Sequence, residues 1–337
     1  MLTRYRWGMA ALAAAVLVFA GCGATADRAE PGAEGGEATQ QQAITGLRFM
    51  VPNTPGSGYD TTAREAAKVM DQIGVTKGIE VFNLAGAGGT TGLSRTVQEK
   101  GNGKLIMMMG LGVVGAQYTN KSTSTLDQTT PIAKLIEEAG AIVVAKNSKY
   151  NTITDLVNDW KANPKGMAVG GGSSPGGPDH LLPMQLAQTV GIEPKQVNYI
   201  AYDGGGELLP AVLGGKVAFG ASGYGEFLDQ IEAGQVRVLA LSGPDRVEAV
   251  DAPTLKESSI DLVFTNWRGV VAPPEISDAD KQALVGAFTT MHDSQEWKDV
   301  LKEKGWADAF VTGDEFGSYM KEQTTRVEDV LGSLGLA

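Results

Sequence analysis

From Leu47 onward, short apolar runs alternate with glycine-rich turns and with stretches of helical spacing. The apolar runs at residues 47–51, 79–84, 104–109, 141–145, 167–169, 196–201, 216–219, 236–241 and 269–272 predict strands. Met107-Met108-Met109 predicts that one of them is fully buried. Residues 62–70, 155–162, 181–190, 224–233 and 279–291 predict helices, and Thr62 with Glu65 fits a capping box at the start of the first. Near the C-terminus, Phe316, Met320, Val327, Val330, Leu331 and Leu334 form an apolar stripe on one long helix. This alternation predicts an α/β fold with mainly parallel sheets. There is no internal repeat and no Pro/Ser-rich linker in the middle, so two α/β lobes would not be beads on a string. The chain would cross between them twice, through short strands that act as a hinge.

The N-terminus follows another pattern. Arg4 and Arg6 precede an unbroken apolar run over 9–20. That run is shorter than the ~20 residues a spanning helix needs and suits a signal h-region. It ends in Val18-Phe19-Ala20-Gly21-Cys22, which resembles a bacterial lipoprotein box. The resemblance implies a signal peptide over 1–22 and a lipid on Cys22, the chain's single cysteine. Two or more acyl chains there would anchor the protein stably on the outer face of the cell membrane. Residues 23–43, rich in Gly, Ala, Glu and Gln, predict a flexible tether. A lone cysteine leaves no disulfide framework.

Length and charge narrow the function. The 337 residues leave room for about two domains. A net charge of −11 argues against a nucleic-acid partner, which needs a basic face. It also repels anions at long range, so an anionic ligand would need a locally positive site. Five glycine-rich junctions offer one: 55–60, 86–92, 170–177, 203–207 and 220–224. At the carboxyl edge of a parallel sheet such junctions face the ligand crevice. Glycine admits close approach to the backbone, and helix starts aim N–H groups and partial positive charge outward. This is an anion site that requires no lysine or arginine.

The same segments carry a family resemblance. Val51-Pro52-Asn53-Thr54-Pro55-Gly56-Ser57-Gly58-Tyr59-Asp60 and Asn83-Leu84-Ala85-Gly86-Ala87-Gly88-Gly89 resemble the first two ligand loops of the tripartite tricarboxylate transporter receptors, also called the Bug family. Thr130-Pro131-Ile132-Ala133, Gly172-Ser173-Ser174 with His180-Leu181, Tyr202-Asp203-Gly204-Gly205-Gly206, Ala252-Pro253-Thr254-Leu255 and Trp267-Arg268-Gly269 follow in the family's order. The resemblance implies a type II periplasmic-binding-protein fold, with lobe 1 over 44–146 and 246–337 and lobe 2 over 147–245. It implies a small organic carboxylate gripped mainly by backbone amides and handed by a monomeric receptor to a two-component membrane permease. The contacts it implies are Asn53, Gly56, Ser57, Asp60, Ala87 and Gly88 from lobe 1, and Ser173, Ser174, Asp203, Gly204 and Ser222 from lobe 2. Tyr59, beside the first loop, is a candidate for the cleft wall. Asp60 would orient its loop or cap the helix. No cofactor or metal is implied.

Other chemistries fit less well. Gly172-Ser173-Ser174-Pro175-Gly176 matches the nucleophile-elbow pattern, which would make Ser174 a hydrolase nucleophile. Asp179 and His180 follow within six residues, and helical neighbours point about 100° apart, so they do not form one relay with Ser174. His180 reads instead as a side chain bonding a loop. Gly86-Ala87-Gly88-Gly89-Thr90-Thr91 lacks the third glycine of a dinucleotide fingerprint. Two histidines and one lipid-bearing cysteine argue against zinc. A sensor that presents its ligand to a signalling partner is the remaining alternative, since capture is the same in both roles.

Overall fold

The computed structural model describes residues 43–202 and 204–337. In chain order the elements are β1 (Ile44–Thr45), β2 (Arg48–Val51), α1 (Gly58–Gln72), β3 (Thr76–Lys77), β4 (Glu80–Asn83), α2 (Thr90–Gln98), β5 (Leu105–Gly110), α3 (Leu111–Thr119) and β6 (Thr130–Ala145). Then come α4 (Ile153–Ala162), β7 (Ala168–Gly171), α5 (Pro178–Thr189), β8 (Asn198–Ala201), α6 (Gly205–Leu213), β9 (Phe219–Gly223), α7 (Leu228–Glu232) and β10 (Val236–Leu241). The chain ends with β11 (Thr265–Ala272), α8 (Asp278–Asp293), α9 (Gln295–Lys304), β12 (Ala307–Thr312) and α10 (Gly313–Leu334).

One ten-stranded sheet runs β4-β2-β5-β11-β6-β9-β7-β8, with β10 and β12 also paired to β6. The 16-residue β6 organises it. Its first part pairs with β11 and β12, and from Gly140 onward it pairs with β9 and β10. The chain returns beside the same point: Gly140 N donates to Ser242 Oγ at 2.8 Å, and Ser242 Oγ donates to the Phe264 carbonyl at 2.6 Å. The sheet is mixed, not mainly parallel. Parallel pairing holds for β2 with β4 and β5 and for β7 with β8 and β9, whereas every neighbour of β6 is antiparallel to it.

Local chemistry accounts for most elements. Met107, Met108 and Met109 are fully buried on β5, which sits between β2 and β11. On α10, Phe316, Met320, Val327, Leu331 and Leu334 face the core, with Val330 partly covered at its edge. Three expectations shift. Helix α1 starts at Gly58, capped by Ser57 Oγ, which accepts from Asp60 N; Thr62 lies inside the helix, so no capping box forms there. Strand β9 begins at Phe219, so Gly220 to Gly223 are sheet rather than a strand-to-helix loop. Strand β6 starts eleven residues before the apolar run at 141–145, because its charged residues are paired in place. Lys134 bonds Glu137 at 2.5 Å and lies 3.9 Å from the Tyr319 ring centroid.

Candidate functional site

A cavity of about 440 Å³ opens where the loops after β2, β4, β7 and β8 meet. Asn53, Ser57, Tyr59, Ala87, Gly88, Ser173, Ser174 and Gly204 all line it. Asp60 stands behind this wall, and Gly56 is exposed beside it, off the lining. Asp60 is buried; its carboxylate accepts Gly56 N and Arg64 Nε at 2.9 Å each and Asn83 Nδ2 at 2.9 Å. Burial pulls its pKa up, but the bonds from Arg64, Gly56 and Asn83 outweigh that and hold it below the usual value. Asp60 therefore orients the first loop, and Ser57 does the capping. Ser222 is buried on β9, away from the lining, with its hydroxyl 3.3 Å from Glu226 Oε2. Asp203 and Cys22 lie outside the described residues.

Backbone shape builds the walls. Gly86, Ala87, Gly88 and Gly89 have φ of 146°, 47°, 64° and 100°. Glycine reaches such angles freely, while Ala87 carries strain that the loop holds in place. The Ala87 carbonyl accepts Asn120 Nδ2 and Thr90 Oγ1, each at 3.0 Å. Across the cavity, Ser173 Oγ accepts Asp179 N at 3.0 Å, and the Ser173 carbonyl accepts Tyr199 Oη–H at 2.6 Å. Tyr59 is pushed up to about 12 by burial, and its Oη accepts Gly112 N at 3.0 Å. These bonds fix the loops before any solute arrives, which is the condition for backbone recognition.

The charged residues of the cavity come from outside the expected contact set. Asp179, Glu226 and Arg268 line it, together with the amide of Asn266. Arg268 is buried on β11; Nη2 bonds buried Glu138 and Nη1 donates to Thr62 Oγ1 at 3.2 Å. Glu138 Oε1 also accepts Gly225 N at 3.1 Å. A Cβ on Gly58 would overlap the Arg268 guanidinium, which is why a poor helix former opens α1. Glu226 accepts Gly205 N and so already occupies the first turn of α6, where a ligand carboxylate was expected to bind. The site thus contains an arginine, and part of its amide supply is taken by the protein's own carboxylate. The available signal was a single arginine beside the apolar run Gly269-Val270-Val271-Ala272, together with the Glu137-Glu138 pair inside an otherwise largely apolar β6. Lone charges in buried strands are rarely left unpaired.

His180 and Asp179 differ in role. Burial pulls His180 down to about 4, and its neutral ring accepts Gly176 N at Nδ1 over 3.2 Å, the loop-bonding role expected of it. That nitrogen is therefore not free to serve Ser174. The unfolded histidine protonates near 6.5, before the folded one does, so this group's stabilisation is lost as pH falls from about 6.5 towards 4. Asp179 and Glu226 act in the opposite sense. Burial first, then repulsion by Glu226 for Asp179 and by Glu138 for Glu226, raise both. They disfavour the folded state when ionised, and this penalty is relieved as pH falls through their raised values. A His180→Asn variant is expected to show a flatter fall of melting temperature between pH 6.5 and 4.5 than the parent. Parallel melting curves in differential scanning calorimetry at each pH would contradict this assignment.

Among the described residues no helix is long and apolar enough to cross a membrane. The family model "Tripartite tricarboxylate transporter family receptor" matches residues 62–336. Protein BugT of Bordetella pertussis is 24% identical over 299 residues, 86% of this chain and 89% of that protein. Among solved structures, MatC of Rhodopseudomonas palustris with bound malate superposes with a TM-score of 0.74 at 20% identity, over 86% of this chain and 99% of the other. An R. palustris protein with adipate gives 0.77 at 19% identity, over 86% and 97%. These likenesses establish the α/β periplasmic-binding fold. The chain belongs to the tripartite tricarboxylate transporter receptor family and is a solute-binding receptor, not an enzyme.

Proposed function

We propose that this receptor captures a small organic carboxylate in the cavity between its lobes and delivers it to a tripartite tricarboxylate-type membrane permease. The observation that carries this reading is the convergence of four loops, Pro52–Tyr59, Ala85–Gly89, Gly172–Gly177 and Gly204, on one cavity the size of a small organic acid, with Arg268 at its edge. Malate and adipate in the two structural neighbours are carboxylates of that size. The contact set is Asn53, Ser57, Tyr59, Ala87, Gly88, Ser173, Ser174, Asp203 and Gly204. Asp60 and Ser222 support it from behind, and Gly56 from beside it. Lobe 1 comprises residues 44–146 and 246–337, and lobe 2 residues 147–245, with the exchange of strand partners at Gly140 and Ser242 just inside these bounds. A signal peptide over 1–22, a lipid on Cys22 and a tether over 23–43 would place a monomer on the outer face of the membrane.

A thermal-shift screen over mono-, di- and tricarboxylates tests this. At least one acid should raise the melting temperature, and isothermal calorimetry on a Ser174→Trp variant should show its binding lost. Ser174 is exposed on the cavity wall, so the bulky side chain fills the cavity without disturbing the core. A screen in which no carboxylate shifts the wild type, or a Ser174→Trp variant that binds normally, would end the proposal.

A further inference from the structure

The cavity is not a simple anion site. Its charged lining residues are Asp179, Glu226 and Arg268. Arg268 is already neutralised from below by Glu138. Among the described residues no ion pair includes Asp179 or Glu226, although both face the same space. They lie close to one another: Glu226 bonds Ser222 and Gly205 N, Asp179 Oδ2 lies beside Gly172 and the neighbouring Gly204, and the Glu226 charge bears on Asp179. Two buried lining residues also hold atoms without partners: Nε of Arg268, a donor, and Oδ1 of Asn266, an acceptor. Asn266 and Arg268 are two apart on β11 and so share one face of the strand. Buried polar atoms left without partners are costly, and a solute can provide those partners.

The open positions divide by sign. The Arg268 guanidinium edge and the loop backbone suit a carboxylate. Asp179 and the Oε1 side of Glu226 call for donors, and Asn266 Oδ1, buried beside them, has none. We propose that the solute is a zwitterion: besides its carboxylate it carries a cationic nitrogen, an ammonium or similar N–H group, that sits against Asp179 and Glu226. This rests on the reading of the cavity as the carboxylate site and narrows the solute class within it. The groups facing this pair are Glu138 on β6, Arg268 on β11, Tyr199 on β8, Tyr59 on α1 and Ser222 on β9. Arg268 is the one cation among them, and it is bonded to Glu138. A solute cation would let both carboxyls ionise, so its capture releases protons. A second solute carboxylate in that position would instead need both acids protonated, and its capture would take protons up.

Matched pairs separate the two cases: aspartate against succinate, glutamate against glutarate, and 4-aminobutyrate against butyrate, added to the acid screen and followed by calorimetry in phosphate and Tris. The amino-bearing member is expected to bind at least 10-fold tighter, more so at pH 8 than at pH 6, with proton release. Asp179→Asn and Glu226→Gln should each shrink that preference to about 3-fold or less while melting at or above the wild-type temperature. The inference is overturned if the tightest binder in the whole screen lacks a cationic nitrogen, if binding takes up protons, or if both variants keep the preference. In those outcomes carboxylate capture still stands. A screen in which nothing binds removes the carboxylate reading and this inference together.

Discussion

An Arg268→Ala receptor is expected to lose about 3–5 kcal/mol of stability, the cost of leaving a buried charge without its partner. The Arg268 and Glu138 side chains are 3% and 2% exposed, so water cannot replace the missing guanidinium at Glu138. The pair also ties α1 through Thr62 and the start of α7's segment through Gly225 N. At about 2–4 °C per kcal/mol for a domain of this size, the melting temperature should fall by roughly 10 °C. An Arg268→Met, Glu138→Gln double variant removes both charges and should recover most of the loss, as buried pairs replaced together often do. If the single variant melts like the wild type, Glu138 is not held by this bond. If the double variant melts below both singles, some contact other than charge pairing dominates.

A Gly115→Ala receptor is expected to bind its solute at least 100-fold more weakly, about 2.7 kcal/mol, because the contact it breaks joins α3 to the Gly172–Gly177 loop of the cavity wall. Gly115 lies within α3, and a Cβ there would overlap the Gly176 carbonyl on the loop across the cavity. Gly176 has φ 92° and packs against Gly115 and Thr119, so neither side of this contact tolerates an added carbon. Alanine favours the helix over glycine by about 1 kcal/mol, which offsets part of the cost of moving the Gly176 backbone aside. The Ser173–Gly177 loop would be pushed off α3, opening the cavity wall on that side. Calorimetry with the tightest acid from the screen, beside small-angle scattering with and without it, checks this. Wild-type affinity together with a normal ligand-induced contraction would show that the two glycines do not hold that wall in place.

The parts of the fold set by short-range pattern were readable in advance. Met107 to Met109 read most simply as a buried strand, and they are one. The stripe from Phe316 to Leu334 could only lie against a core at helical period. The loops at Pro52–Tyr59, Gly86–Gly89 and Gly172–Gly177 could be brought together because strand-to-helix turns of parallel strands share one edge. Where charged residues sit in strands, the pattern misled. Lys134, Glu137 and Glu138 concealed most of β6, and β12 was not recognised because Ala307 to Thr312 has little apolar alternation.

What the sequence determined by itself was the α/β class, the glycine loops that shape a small-solute cavity and the family that uses them. All of these rest on periodicity, turn chemistry and motif order within short stretches of chain. Only the tertiary structure could place Arg268 beside Thr62 and Glu138, 206 and 130 residues away. It alone could set Asp179 and Glu226 on the wall of the same cavity. An electrostatic site depends on which charges become neighbours after folding, and at low dielectric that juxtaposition outweighs the net charge of −11 summed over the chain.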